Sequence, residues 1–290
     1  MTDAEAVPEI NIAERLGYSR KDVLLIINAD DAGMCHSVNA GIERAMTSGL
    51  VTSTTLMAPC PWARDFAERA RRNSAIKVGV HLTATSEWRT YRWGPVAPAH
   101  RVKSLLDPHG CFWPSAEEFC AHADPAEAEI EWRAQIERVL SFGLHPTHID
   151  SHMGVFHFKD ELFAVAKKLA EEFQLTLRDG YPPRLKELQA EGFCVVDYLY
   201  WDTHDIPLEK RRDHYLEFFN MLTPGLWELA IHPAEPTEEL RGVGGMWQRR
   251  GFDLEFFTNA ETRELVEAKG LHLIGYDRLQ AVTAEMRRWR

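Results

Sequence analysis

Two adjacent carboxylates, Asp30 and Asp31, stand where the apolar run Val23-Leu24-Leu25-Ile26-Ile27 stops. A run this short and branched reads as a buried strand. Neighbouring carboxylates at its end repel each other, and desolvation raises their pKa. A bound cation removes most of that cost. Ionisable residues close other apolar runs as well: His81 in Val80-His81-Leu82-Thr83, Asp150 and His152 in His148-Ile149-Asp150-Ser151-His152, Arg178 in Leu177-Arg178-Asp179, and His232 in Ile231-His232-Pro233.

One carboxylate with two imidazoles makes a three-ligand site with positions left open for water, as a catalytic divalent metal requires. Asp31, His81 and His152 are assigned as that set. Such an ion acidifies its bound water and polarises a carbonyl oxygen. Asp30, beside the ligand, is the expected general base, and His232, on a distant strand, the expected general acid. Arg178 is expected to keep Asp30 ionised and oriented through a charge-assisted pair. Asp150 precedes His152 by two residues, so on a strand both face one side, and it is assigned to orient a ligand imidazole. His148 shares that face at greater depth and reads as structural. Taken singly, an Asp-Asp pair also fits a helix cap, and a lone histidine fits a core position. The elements that carry these residues favour the chemical reading.

Strand-like and helix-like segments alternate from end to end. Strands are expected at 23–28, 51–58, 76–82, 145–151, 174–178, 193–199, 226–232 and 271–275. The expected helices include 38–48, 127–142, 160–173, 183–191 and 259–269, the last opened by the capping box Thr258-x-x-Glu261. A final helix runs through Leu279, Val282, Met286 and Trp289. Segment 86–125 breaks the alternation and is long, aromatic and rich in turn residues. Strict βα alternation implies a parallel sheet, either closed as a barrel or open and doubly wound. A barrel of ~250 residues suits one domain with loop insertions, so 1–290 is expected to be a single-domain α/β chain with a TIM-like, distorted (β/α) barrel. In that fold the C-terminal strand ends converge on one rim, where active sites form. The ionisable residues named above all fall there.

Trp88, Tyr91 and Trp93, then Phe112 and Trp113, lie in the long segment after strand three, and Trp201 follows strand six. Aromatic faces on βα loops suit stacking on sugar rings, so Trp88, Trp93 and Trp201 are assigned to substrate. The alternative is a minor core capping the barrel mouth. His157 and His204 are within reach of the rim, and His157 is added to the substrate set.

The chain has 33 basic and 44 acidic residues, a net charge of −11, which argues against nucleic acid or an anionic membrane as partner. Its acidic start, Met1-Thr2-Asp3-Ala4-Glu5, is not a signal peptide. No apolar stretch approaches the ~20 residues of a membrane span. Five cysteines without a Cys-x-x-Cys pair suggest a reducing compartment and no thiolate metal site. The expectation is a cytoplasmic protein acting on a small molecule, with a homodimer allowed.

Several stretches together resemble the YdjC-like carbohydrate deacetylase family, which acts on N-acetylated chito-oligosaccharides. They are Ile27-Asn28-Ala29-Asp30-Asp31-Ala32-Gly33, Gly41-Ile42, Val51 to Met57, Gly79-Val80-His81-Leu82-Thr83, His148 to His152, and His232-Pro233. The resemblance implies a distorted βα barrel holding one divalent ion on Asp31, His81 and His152, with Asp30 as base. Three positions depart from the family pattern: Ala32 where Phe is usual, Met153-Gly154 where further histidines are usual, and Ala234 where Gly is usual. They touch the pocket wall more than the ligands. The expected activity is removal of an acetyl group from an N-acetylated sugar by metal-activated water. The Asp-His-His set suits zinc, with magnesium and manganese as alternatives. The rival readings are another metal hydrolase on the same barrel (a phosphoesterase or amidohydrolase) and a sugar-binding protein with a vestigial site.

Overall fold

The computed structural model describes residues 11–201, 203, 205–244 and 246–288. His204 and Trp289 lie outside the described residues. Among the described residues eight parallel strands build one curled sheet: β1 Val23–Ala32, β2 Ser53–Leu56, β3 Val78–Leu82, β4 His148–Ser151, β5 Thr176–Leu177, β6 Tyr198–Tyr200, β7 Gly225–Ile231 and β8 His272–Leu273. Their order is β5-β4-β3-β2-β1-β7-β6. β1 is central, paired along its length with β7, at its start with β8 and at its end with β2. The short α1 Ile12–Arg15 precedes β1, and helices follow the strands: α2 His36–Ser48, α3 Ala63–Arg72, α4 Ala116–His122, α5 Pro125–Ser141, α6 Asp160–Glu172, α7 Pro182–Ala190, α8 Arg211–Met221, α9 Glu238–Val243, α10 Trp247–Thr258, α11 Ala260–Ala268 and α12 Tyr276–Arg288. This is the expected TIM-like α/β architecture, with one distortion.

The distortion is a seam. Among the described residues β5 and β6 share no ladder. The stretch expected as the start of strand six, 193–196, is buried but unpaired. Instead Thr176 Oγ1 donates to the Cys194 carbonyl at 2.7 Å, and Cys194 N donates to Thr283 Oγ1 of α12 at 3.1 Å. Side chains therefore close the backbone across the gap where a ladder is missing. A second apolar cluster of Ile12, Leu24, Leu226, Ile274 and Leu279 fills the end where the strands begin.

Some boundaries differ from expectation. β1 runs through Asp30 and Asp31 to Ala32, because a bulge between Ala29 and Ala32 lets pairing with β2 resume beyond them. Asn259 caps α11 by accepting from Thr262 N at 2.7 Å. Thr258 instead ends α10, with its hydroxyl donating to the Leu254 carbonyl. The segment after β3 is mostly a minor core: Trp93, Val102, Leu105 and Phe112 are buried, and Glu131 of α5 accepts from Val96 N and Ala97 N at 2.9 and 2.8 Å.

Two glycines fix close approaches. A Cβ on Gly41 of α2 would lie 2.5 Å from Ala234 Cα, and one on Gly79 of β3 would lie 2.5 Å from the His148 ring. Gly79→Ala is therefore expected to destabilise the fold by about 1–3 kcal/mol through overpacking. Denaturant unfolding checks this, and adding His148→Ala should restore part of the loss.

Candidate metal centre and active site

The bulge in β1 decides where the acidic pair points. Successive residues of a regular strand face opposite sides. Asp31 breaks that alternation with φ of 72°, a conformation that costs of order 1–3 kcal/mol for a non-glycine residue and persists only where its surroundings hold it. Both carboxylates are thereby buried at one rim, 6% and 1% exposed, and each has its own arginine.

Arg178, one residue beyond β5, donates from Nη1 to Asp30 Oδ2 and from Nη2 to Asp30 Oδ1, both at 2.8 Å. Asn28 Nδ2 adds a bond to Asp30 Oδ1 at 2.7 Å. Burial opposes ionisation of Asp30, but the Arg178 guanidinium outweighs it and, with His81 and His232 nearby, holds the carboxyl far below its ordinary value. Arg178 Nη1 also lies 2.7 Å from Asp150 Oδ2.

Asp31 is held differently. Arg250 of α10 donates from Nη2 to Asp31 Oδ2 at 2.5 Å. Oδ1 is buried without a hydrogen-bond partner, yet His81 Nε2 lies 3.4 Å and His152 Nδ1 3.2 Å from it. These contacts lack hydrogen-bond geometry. Three lone-pair donors converge on one point, as they would around a cation. Burial works against ionisation of Asp31, and Arg250 with the two imidazoles drives it well below the usual range.

The imidazoles are oriented from behind, as metal-ligating histidines are. His81 Nδ1 lies 2.6 Å from Asp150 Oδ1, and Thr55 Oγ1 donates to Asp150 Oδ2 at 3.0 Å. Asp150 thus contacts the imidazole of His81 on the neighbouring β3 rather than that of His152 two residues on. β4 ends at Ser151, and His152 begins a 3₁₀ turn, 152–157, so shared strand facing does not extend to it. The partner of His152 is Glu87, whose Oε2 lies 3.1 Å from Nε2. Burial would lower both imidazoles. Asp150, with Asp31 and Asp30, instead raises His81 to about 10, and Glu87 with Asp31 raises His152 to about 9.

Asp31, His81 and His152 therefore fit a divalent ion by donor type, convergence and the orphaned Oδ1. Among the described residues they form one of two groups able to hold a metal; Asp30, His81 and Asp150 form the other. Arg178 already lies on both carboxylates of the second group, as a fixed cation would.

His232 follows β7, is 8% exposed, and is close enough to Asp30 for its charge to act on that carboxyl. Its backbone N–H donates to Asp253 Oδ2 at 3.2 Å, and Asp253 Oδ1 accepts from the Tyr215 hydroxyl at 2.8 Å. His148 is structural, stacked on Tyr276 with ring centroids 3.6 Å apart.

The aromatic assignments divide. Trp93 is a core residue: its Nε1 donates to the Thr85 carbonyl at 2.8 Å and its ring meets His152 edge-on. It backs the centre and offers no free stacking face, which corrects its assignment to substrate. Trp88 is half-buried over Gly244. Trp201 is open, 43% exposed, and with His157, Phe158, Tyr181 and Arg184 lines a cavity of about 490 Å³. Burial and the nearby Arg184 and Arg178 push His157 down to about 3, so its ring is neutral. This groove opens beside the rim, since Gly180 follows Arg178 by two residues and Leu199 belongs to β6. The positive φ of Met153 and Gly154 turns the chain under Trp201, whose ring lies 3.2 Å from where a Gly154 Cβ would be.

Glu87 and Arg250 escaped the sequence reading. Glu87 carries a weak signal, five residues past the His81 strand end, whereas Arg250 lies in a helix remote from any strand end.

Fold and site together define a parallel α/β barrel with a candidate metal centre on its C-terminal rim. The chain belongs to the YdjC-like protein family, whose profile matches residues 24–268. It is 40% identical to a carbohydrate deacetylase of Oceanobacillus iheyensis, over 83% of this chain and 98% of that protein. To a carbohydrate deacetylase of Geobacillus stearothermophilus it is 33% identical, over 87% and 96%. A solved Enterococcus faecalis V583 protein, described as a cellobiose-phosphate cleavage protein, superimposes with a TM-score of 0.78 at 31% identity, over 89% of this chain and 99% of that one. Among the described residues no helix is long and apolar enough to cross a membrane.

The raised imidazole pKa values set a pH dependence. Stabilisation from imidazolium is complete below the ordinary value of 6.5 and is lost as pH rises through about 9 and 10. An incoming ion must displace those protons, so its affinity tightens with pH across that window, by up to about tenfold per unit for each proton. Calorimetric titration of zinc at pH 7, in buffers of different ionisation enthalpy, should count close to two protons released. Release of none would contradict the assigned ligands.

Proposed function

We propose that the chain is a metal-dependent hydrolase that removes the acetyl group from an N-acetylated sugar or oligosaccharide. The observation that carries this reading is the division of the acidic pair. Asp31 presents one bare oxygen among two imidazoles, while Asp30 next to it is bound by Arg178 and stays apart. The relatives named carbohydrate deacetylases supply the reaction class.

Asp31, His81 and His152 would hold the ion, and a set with two nitrogens favours zinc over magnesium or manganese. Bound there, a divalent ion supplies Lewis acidity, which acidifies water and polarises an amide carbonyl. Asp30 accepts the proton of the attacking water. Arg178 keeps Asp30 anionic and aimed, at the cost of basicity. His232 gives a proton to the nitrogen as the C–N bond breaks, so the amine leaves neutral. Asp150 and Glu87 hold the two imidazoles in one tautomer each. The groove at Trp201 and Tyr181 offers apolar faces to a sugar ring.

A phosphoesterase with two ions would place the second on Asp30, His81 and Asp150. Arg178 at 2.7–2.8 Å from both carboxylates competes for that position, which favours the single-ion reading. The complete donor set likewise speaks against a vestigial sugar-binding protein.

Acetate release from a panel of N-acetyl sugars, with metal-free and metal-loaded protein, tests the proposal. Asp30→Asn should lower kcat by about 10²- to 10⁴-fold and leave metal content intact, whereas Asp31→Asn should lose both. Acetate from no sugar under metal loading would contradict the reading. Trp201→Ala should raise KM by about 10-fold or more with kcat nearly unchanged, the mark of lost uniform binding.

A further inference from the structure

Glu228 is a buried carboxylate that the proposed reaction does not use. It lies mid-strand in β7, fully buried, between Trp227 and Leu229. Arg178 Nε donates to its Oε1 at 2.6 Å, and the Tyr276 hydroxyl donates to its Oε2. Tyr276 in turn stacks on His148. A continuous contact path thus runs from His148 through Tyr276, Glu228 and Arg178 to Asp30. Burial pushes the Glu228 carboxyl up to about 7, with Arg178 and Tyr276 pulling the other way. Burying such a group is unfavourable before compensation, and an apolar side chain of similar size would fill the same core. Its contacts show what it does there. A guanidinium has five N–H donors in a rigid plane. With Nε fixed by Glu228, the two terminal nitrogens can face only one way, which is toward Asp30 and Asp150.

We propose that Glu228 is a positioning residue for the reaction: by fixing Arg178 at Nε, it aims the guanidinium fork that orients Asp30 and supports Asp150 behind His81. The proposal rests on the deacetylase reading for its kinetic consequences only. Glu228→Leu should lower kcat by about 10- to 100-fold, as losses of supporting groups do, with KM within about threefold. Glu228→Gln keeps an oxygen for Nε and should recover most of that loss. In an Arg178→Lys background, Glu228→Leu should cost nothing further, because the two act as a unit. Tyr276→Phe, which frees Glu228 from its other side, provides a milder variant should Glu228→Leu fail to fold. A separate measurement needs neither substrate nor metal. The Nε–H signal of Arg178 in isotope-labelled, metal-free protein, assigned by its loss in Arg178→Lys, should exchange with water at least about tenfold faster in Glu228→Leu or Tyr276→Phe. Unchanged exchange, or kinetic losses that add in the double variant, would overturn the proposal. If the unaltered protein releases no acetate, the deacetylase reading fails, and the exchange measurement still decides the role of Glu228.

Discussion

Asp30 and Asp31 are neighbours in a buried strand, and the protein keeps both ionised by giving each a different guanidinium. Arg178 comes from the end of β5 and takes both oxygens of Asp30. Arg250 comes from α10 and takes one oxygen of Asp31. This split determines what each acid can do. Asp30 has no oxygen free of Arg178, so it stays an oriented anion. Asp31 has one oxygen committed and one bare, so it can give a single ligand to a cation. The bulge in β1 makes the split geometrically possible, because without it the two side chains would face opposite sides of the sheet.

The scaffold follows from the need to bring those partners together. Arg178 touches Asp30 on β1, Asp150 on β4 and Glu228 on β7. It therefore spans the barrel from one side of the seam to the other, where β5 and β6 share no ladder. The groove of Trp201, Tyr181 and His157 is lined by residues that follow β5 and by β6 and the residue after it. Gly180 and Leu199 approach closely there, a Cβ on Gly180 falling 2.6 Å from that of Leu199. Ala32 and Ala234 are fully buried, Ala234 against Gly41, while Met153 is exposed on the rim near Trp201.

Much of this was legible in the sequence, because polar residues that interrupt apolar runs mark strand ends, and strand ends converge. That pattern points to His81, Asp150, Arg178 and His232, which lie at or just beyond the ends of β3, β4, β5 and β7. What escaped is contact between remote segments. Arg250 lies 219 residues from Asp31 in a helix whose pattern says only that it packs. Glu87 sits in a loop whose path the sequence does not specify. Trp93 looked like a platform, but tryptophan in a long loop is as well suited to building a minor core, and here it does so. Strand six starts later than its apolar run suggests, because 193–196 is as apolar as a strand while Cys194 bonds to the Thr176 and Thr283 side chains instead of a neighbouring strand.

The central claim is one cation on Asp31, His81 and His152, with Arg178 standing where a second would be. Anomalous diffraction from crystals soaked in zinc tests it most directly. A single strong peak is expected within coordination distance of Asp31 Oδ1, His81 Nε2 and His152 Nδ1, with Arg178 still on Asp30. A peak between Asp30 and Asp150 with Arg178 displaced, or no peak at the rim, would contradict it.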